Sequence, residues 1–202
     1  MRPAPPPREP GTYVVETVCL GNICRSPTAA VVLRDRLASA GLDDRVEVVS
    51  SGTGGWHVGE PMDHRAAATL RAAGYDAGDV DAHRGRQLGT GPEAERGADL
   101  VLAMDAVNLS GVRDGRAGTE GHDDRVALFR DFDPEEPGAD VPDPYYGGED
   151  GFREVLAMVE RTADALVASI DAALQAGSGP SPEPGPAATG TRAPEDRPGA
   201  AR

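Results

Sequence analysis

Two cysteines, an arginine and a proline share one short segment, Cys19-Leu20-Gly21-Asn22-Ile23-Cys24-Arg25-Ser26-Pro27, and these residue types suit the capture of an anion by a reactive thiol. Arginine presents a rigid fork of donors that grips two oxygens of a phosphate-like group at once, which lysine cannot do. Gly21 and Asn22 are types that tolerate left-handed dihedrals, so the N–H groups between Cys19 and Arg25 can curl inward. A sulfur at the centre of such a cradle would attack phosphorus and form a covalent phosphoenzyme, with the Ser26 hydroxyl donating to it. A bare Cys-x5-Arg spacing would fit a buried strand end at Cys19 and a small apolar filler at Cys24 better. The Gly, Asn, Ser and Pro around it favour chemistry. Cys24 keeps two readings, packing under the loop or a reversible disulfide with Cys19 that shields the nucleophile from irreversible oxidation.

Cleaving a phosphate ester also requires a proton for the leaving oxygen. Asp143, in Asp143-Pro144-Tyr145-Tyr146-Gly147, is held extended by the proline that follows it, so its carboxyl can be aimed. The adjacent tyrosines suit the wall of a cleft that receives a flat ring. By itself the segment would read as an Asp-Pro turn with surface tyrosines.

The elements that must position these groups follow from the hydrophobic pattern. Tyr13 to Val18 is apolar and β-branched, which predicts a buried strand, and Pro27 belongs in the first turn of a helix. The loop between them therefore sits at a helix N-terminus, where unpartnered N–H groups and the positive dipole end attract anions. Cysteines so placed beside a cation titrate at roughly 3.5 to 7.5 instead of about 8.5. Further along, the pattern predicts a helix over Pro27 to Ala40 stopped by Gly41, a strand over Val46 to Ser51 and a helix over Asp63 to Ala73. It continues with a strand over Asp99 to Met104, a helix from Asp105, a strand over Arg125 to Phe129 and a long helix over Gly151 to Leu174. Alternating strands and helices give an α/β fold, a three-layer α/β/α sandwich with a four-stranded parallel sheet and the phosphate-binding loop between strand 1 and helix 1. Ligands in such sheets bind beyond the C-terminal strand ends, where Cys19 falls.

One domain over residues 12–175 is expected, between a disordered N-terminal extension, residues 1–11, and a disordered Pro/Gly/Ala-rich tail, residues 176–202. All basic residues of the 202-residue chain are arginine, and the formal net charge is -14. That field opposes nucleic acid and anionic membranes as partners. No apolar run has signal-peptide or membrane-span length, so a cytoplasmic monomer is expected, with export by a route lacking a signal peptide left open. Two cysteines in one loop are too few for a structural zinc site or a disulfide framework, and no metal or cofactor is expected. Asp131-Phe132-Asp133 is similar to the aspartate-nucleophile motif of haloacid-dehalogenase-type enzymes, but it lacks the following Thr or Val and comes after the last strand. A solvated acidic loop is the reading adopted for it.

Together these segments resemble the low-molecular-weight protein tyrosine phosphatases, especially the actinobacterial secreted-effector type. The resemblance covers Tyr13 to about Leu174. It rests on Val18 to Pro27, Ser50-Ser51-Gly52-Thr53-Gly54-Gly55-Trp56-His57, His83-Arg84-Gly85-Arg86-Gln87, Met104-Asp105-Ala106-Val107-Asn108-Leu109 and Asp143-Pro144-Tyr145-Tyr146. It implies Cys19 as nucleophile, Arg25 as phosphate clamp and Asp143 as the general acid that later activates water, acting on a phosphotyrosine-containing protein. It also implies a network of Asn22, Ser51 and His83 that holds the loop, and a cleft walled by Trp56, Tyr145 and Tyr146. Asp105 reads equally as a helix N-cap and as an active-site neighbour.

Three rivals share the loop. Thioredoxin-coupled arsenate reductases on this fold need a further cysteine pair, and this chain has no cysteine after Cys24. Related arginine phosphatases carry threonine where this chain has Ile23, whose bulk should crowd a branched guanidinium and favour a planar phenyl ring. A noncatalytic phosphate-binding module could lose the nucleophile or the acid, and both Cys19 and Asp143 are present.

Overall fold

The computed structural model describes residues 2–90, 97–115 and 123–177. Its four strands, β1 (Tyr13–Cys19), β2 (Val46–Gly52), β3 (Leu100–Ala103) and β4 (Val126–Leu128), form a parallel sheet in the order β2-β1-β3-β4. The β-branched stretch of β1 therefore lies at the centre, with Thr17 opposite Ser50 on one side and Leu102 on the other. The chain leaves β1 toward β2 and later returns to its other side as β3. That reversal opens a crevice at the C-terminal end of β1, where Cys19 ends the strand.

Helices α1 (Arg25–Ser39), α2 (His64–Ala72), α3 (Ala77–Ala82), α4 (Ala106–Gly115) and α5 (Glu149–Gly177) surround the sheet. Tyr13, Val15, Val48, Leu100 and Leu102 pack with α1, α2 and α5 in the larger core. Val14, Val18, Val49, Val101 and Val126 face the other way, against Leu109 and Val112 of α4. The strict alternation along β1 produces these two cores and with them the three layers. Ala29, Ala30, Leu33 and Leu37 of α1 are buried as expected, as are Phe152, Val155, Leu156, Val159, Leu166 and Ile170 of α5. Helix α3, the start of α1 at Arg25 and the extra turn of α5 from Glu149 were outside the sequence-based assignment. The six residues of α3 bury only Val80, too little for a periodic signal.

Two sequence expectations need correcting. Residues 1–11 are expected to be disordered, yet residues 2–11 lie along the sheet's N-terminal end. Ala4 is buried and its N–H donates to Ser169 Oγ at 2.7 Å. Tyr13 donates to the Pro5 carbonyl, Arg125 donates to the Pro6 carbonyl, and the Arg8 N–H donates to Asp99 Oδ1 at 2.7 Å. Asp99 Oδ2 accepts the Val14 N–H, so one carboxylate ties the extension to the first residues of β1. A proline run has little conformational freedom to lose, so a few such bonds suffice to fix it. The tail beyond residue 177 lies outside the described residues.

The second correction concerns the acidic loop. Asp133 is fully buried, not solvated, and accepts from Arg130 Nε and from Arg161 Nε and Nη2, each at 2.8 Å. Those arginines hold its carboxyl well below the usual carboxylate range, the Arg161 bond contributing most. This triad fixes the turn Phe129–Phe132 against α5 and thereby the base of the segment that carries Asp143. Its stabilisation is present above the unfolded carboxylate pKa and is lost as pH falls below it. Asp133→Ala removes the buried carboxylate shared by Arg130 and Arg161, leaving Arg130 only Glu136 as an ionic partner, and should lower the urea-unfolding free energy by about 3 to 5 kcal/mol. A loss under about 1 kcal/mol would mean the triad is not structural.

Candidate functional site

The loop from Cys19 to α1 is built around Asn22. This residue takes φ 57, the one positive φ outside glycine among the described residues, and five hydrogen bonds hold it there. Its N–H donates to Cys19 Sγ at 3.3 Å, and Nδ2 donates to Ser26 Oγ at 2.9 Å and Ser50 Oγ at 3.0 Å. Its Oδ1 accepts the Arg86 N–H at 2.8 Å and its carbonyl accepts His83 Nε2–H at 2.7 Å. The carbonyl can only accept, so the neutral ring carries its proton on Nε2. Burial pushes the His83 pKa down, and the nearby Arg34, Arg86 and Arg84 push it further.

Gly52 makes the tight seating of the loop feasible. A Cβ there would lie 2.7 Å from the Leu20 carbonyl oxygen, inside contact distance. With glycine, the Thr53 and Gly54 N–H groups reach the carbonyls of Cys19 and Leu20 at 2.9 and 2.8 Å.

Cys19 is buried, and its sulfur receives the Ser26 hydroxyl at 3.0 Å in addition to the Asn22 N–H. Ser26 has one proton, and its alternative acceptor is the Ser51 carbonyl at 3.2 Å. Cys24 is buried too, but burial first, then the charges of Asp63, Cys19 and Asp143, raise its pKa far above the ordinary thiol value. It stays a protonated thiol. Both cysteines are free.

Arg25, the first residue of α1, is 3% exposed and aims its guanidinium across the crevice. Nη1 donates to Asp105 Oδ2 at 2.5 Å and to the Val141 carbonyl, and Nη2 donates to Asp143 Oδ2 at 2.8 Å. Burial opposes its charge, but the Asp105 bond and the charges of Cys19 and Asp143 outweigh burial and raise its pKa. Asp105 fills both of its expected roles, since Oδ1 also accepts the Asn108 N–H at the start of α4.

Above the loop opens a cleft of about 310 Å³ lined by Cys19, Arg25, Asp143 and the side walls Trp56, Tyr145 and Tyr146. Leu20, Gly21, Ile23 and Cys24 also line it, and so does His57, which the sequence reading did not single out. His57 Nδ1 lies 2.6 Å from Glu60 Oε2, and the ring sits over Gly21. The two tyrosine rings meet edge to face at 5.1 Å. Arg65 stacks on Tyr145 at 5.6 Å and on Phe152 at 4.6 Å, and its Nη1 reaches the Gly147 carbonyl.

The structure thus gathers Cys19, Asn22, Arg25, Ser26, His83, Asp143 and the aromatic wall as expected, and displaces one residue. The Ser51 hydroxyl donates to Glu16 Oε1 at 2.7 Å, away from the loop, and only its carbonyl faces Ser26. The side chain that supports Asn22 belongs to Ser50. Strand alternation sends neighbouring serines to opposite faces, and pairing Ser50 with Thr17, whose hydroxyl binds the Ser26 carbonyl, would have identified the right one.

The family described as "Low molecular weight phosphotyrosine protein phosphatase" matches residues 14–176. The chain is 47% identical over 161 residues to a low molecular weight protein-tyrosine-phosphatase of Streptomyces coelicolor, covering 79% of this chain and 94% of that one. It is 43% identical over 169 residues to low molecular weight protein-tyrosine phosphatase A of Mycobacterium tuberculosis, covering 83% and 96%. Among solved structures, YfkJ from Bacillus subtilis superposes with a TM-score of 0.70 at 34% identity, covering 82% of this chain and 98% of that one. A protein tyrosine phosphatase from Entamoeba histolytica, with Hepes in its active site, gives 0.71 at 30% identity, covering 80% and 98%.

Two outcomes follow from the network around Asn22. Ser50→Ala removes an acceptor from a buried amide and should lower kcat by about 10-fold, whereas Ser51→Ala leaves kcat within twofold; the reverse order would restore Ser51 to the loop. For His83, the folded pKa lies below the ordinary value of 6.5, so the folded protein binds fewer protons than the unfolded chain as pH falls. Its stability contribution is intact above about 6.5 and declines below it. The fall in melting temperature from about pH 7.5 to about 5.5 should be smaller in His83→Gln than in wild type, and equal slopes would contradict the assignment.

Proposed function

The chain belongs to the low molecular weight protein-tyrosine phosphatases, enzymes that hydrolyse phosphotyrosine through a cysteinyl-phosphate intermediate, and from that premise we propose roles for the residues of the cleft. The supporting observation is the single line of contact from Cys19 Sγ, held by Asn22 and Ser26, to Arg25 and on to Asp143 at 2.8 Å. A phosphate entering the cradle competes with Asp143 for the Arg25 Nη2 donor. The carboxyl is then free to turn to the leaving oxygen.

Cys19 sulfur attacks phosphorus as the bond to the phenol oxygen breaks, and Asp143 delivers a proton to that oxygen. Ser26 and the loop N–H groups stabilise the sulfur as leaving group in the second step. There Asp143, now a carboxylate, takes a proton from the water that attacks the phosphocysteine. Inorganic phosphate departs and Cys19 is restored. Arg25 holds two equatorial oxygens throughout, and Asp105, bound to its Nη1, keeps the fork in plane. Trp56, Tyr145 and Tyr146 form the slot for the tyrosine ring, and Ile23 on its floor disfavours the branched phosphoguanidinium of a phosphoarginine substrate.

Arg25 and the loop N–H groups supply the positive charge that phosphoryl transfer requires, which supports a reaction that needs no metal ion. A protein-bound phosphotyrosine fits the exposed aromatic rim, where Trp56 is 72% and Tyr146 95% exposed. Two free thiols in the site suit the reducing cytoplasm, and a net charge of -14 disfavours nucleic acid and anionic membranes. Among the described residues no helix is long and apolar enough to cross a membrane. The catalytic groups all come from one chain, in keeping with a working monomer, and we assign residues 12–175 as the phosphatase domain.

Cys19→Ser should abolish turnover with the melting temperature preserved. Asp143→Asn should reduce kcat by roughly 100- to 10,000-fold for aryl phosphates with poor leaving groups and far less for good ones. An equal loss for both would remove Asp143 from the role of acid. Activity lost in EDTA and regained with a divalent cation would overturn the metal-free mechanism. Side-by-side turnover of phosphotyrosine, phosphoserine and phosphoarginine peptides, with arsenate reduction as a control, should show phosphotyrosine preferred.

A further inference from the structure

Arg65 is the second residue of α2, where the positive end of the helix dipole disfavours a cation. Its place there is set by contacts beyond the helix. Nε and Nη2 donate to Asp63 Oδ1 and Oδ2 at 3.1 and 2.9 Å, and Nη1, on the other edge of the fork, donates to the Gly147 carbonyl at 3.2 Å. The guanidinium also lies 4.6 Å from the ring centroid of Phe152 and 5.6 Å from that of Tyr145. Asp63 is itself firmly seated. Its side chain is 8% exposed and accepts the Arg65 N–H, and its own N–H donates to the Ile23 carbonyl of the cradle at 2.8 Å.

The segment that carries Asp143 is anchored at both ends. At its start Val141 is fully buried, its N–H donates to the Met104 carbonyl at 2.7 Å, and its carbonyl accepts Arg25 Nη1 at 3.1 Å. At its end the Gly147 N–H donates to the Pro144 carbonyl at 2.9 Å, which closes a turn, and Arg65 holds the Gly147 carbonyl. We propose, on the reading of Asp143 as the general acid, that Arg65 is a positioning residue for the proton-transfer step. By joining Gly147 to Asp63, and through Asp63 to Ile23, it ties the far end of the turn to the cradle and sets where the Asp143 carboxyl stands once it has left Arg25. The role requires arginine. The two edges of its fork face different partners, and the single nitrogen of a lysine cannot serve both. A turn released at this end lets the carboxyl drift, and a displacement of about 1 Å from the leaving oxygen costs on the order of 100-fold in rate.

The test is a double-mutant cycle between Arg65 and Asp143, read in kcat/KM, which covers the steps through cleavage of the ester bond. Two substrates are compared: phenyl phosphate, whose poor leaving group needs the proton, and dinitrophenyl phosphate, whose good one hardly does. A displaced Tyr145 wall affects both alike and cancels in their ratio. Arg65→Gln should lower the ratio of phenyl to dinitrophenyl turnover by about 10- to 100-fold, and added to Asp143→Asn it should leave the ratio where Asp143→Asn alone puts it. Arg65→Lys keeps a cation beside Asp63, so its melting temperature should stay near that of wild type while its ratio is as low as that of Arg65→Gln. A loss shared equally by the two substrates, a further fall of the ratio in the Asp143→Asn background, or a wild-type ratio in Arg65→Lys overturns the positioning role and leaves Arg65 as a structural partner of Asp63. If Asp143→Asn by itself leaves the ratio unchanged, Asp143 is not the acid, and the role of Arg65 falls with it.

Discussion

Asn22 stands in a left-handed conformation that costs a non-glycine residue about 1 to 3 kcal/mol, and the catalytic site depends on its staying there. The conformation turns its N–H toward Cys19 Sγ and aims its amide at the serines of α1 and β2. Each of its five hydrogen bonds contributes roughly 0.5 to 1.5 kcal/mol net, so together they outweigh the strain, while no single one does so by much. That explains why the supporting contacts come from separate parts of the chain: Ser26 on α1, Ser50 on β2, and His83 and Arg86 from the segment after α3. A loop secured from three sides is organised by the chain's own contacts, and the cost of organising the cradle is met during folding instead of during catalysis.

Charge is arranged around the same loop with a clear division of labour. Arg25 is nearly inaccessible, and a buried guanidinium needs compensation. Asp105 supplies it permanently from the start of α4, while Asp143 supplies it from a more exposed position, with 39% of its side chain accessible. The better-buried carboxylate is tied by Asn108 as well and positions the clamp. The more exposed one has room to leave the arginine, as the role of acid proposed for it requires. The two cysteines differ in surroundings: Cys19 accepts from Asn22 and Ser26, whereas burial first, and then the charges of Asp63, Cys19 and Asp143, keep the proton of Cys24 on its sulfur.

Much of this was legible in the sequence because it depends on local pattern. The β-branched run of β1, the glycine stops and the spacing from Cys19 to Pro27 specify a strand, a loop and a helix within one stretch of chain, and the sheet follows from their alternation. What was not legible depends on partners distant in sequence. Asp133 reads as solvated until Arg161, far along on α5, is seen to reach it. Residues 2–11 read as disordered because Asp99 and Ser169, which hold Arg8 and Ala4, are remote. The resemblance implies Ser51 as the loop support, and only the register of β2 against Thr17 shows that the hydroxyl facing Asn22 is that of its neighbour Ser50.

The aromatic wall is less independent of the loop than its position in the sequence suggests. The Asp63 N–H donates to the Ile23 carbonyl at 2.8 Å, and the Asp63 side chain caps α2 and grips Arg65 at 2.9 Å. Arg65 in turn stacks on Tyr145 and holds the Gly147 carbonyl. A continuous set of contacts therefore runs from the cradle floor at Ile23 to the tyrosine that flanks the entering ring. Tyr145 lies two residues past Asp143, and its N–H donates to Asp143 Oδ1 at 3.1 Å, so Arg65 ties the whole segment, carboxylate and wall together, to the start of α2. The spacing between the cradle and the aromatic wall therefore depends on the same anchor that places Asp143, and a change at Arg65 would disturb both together.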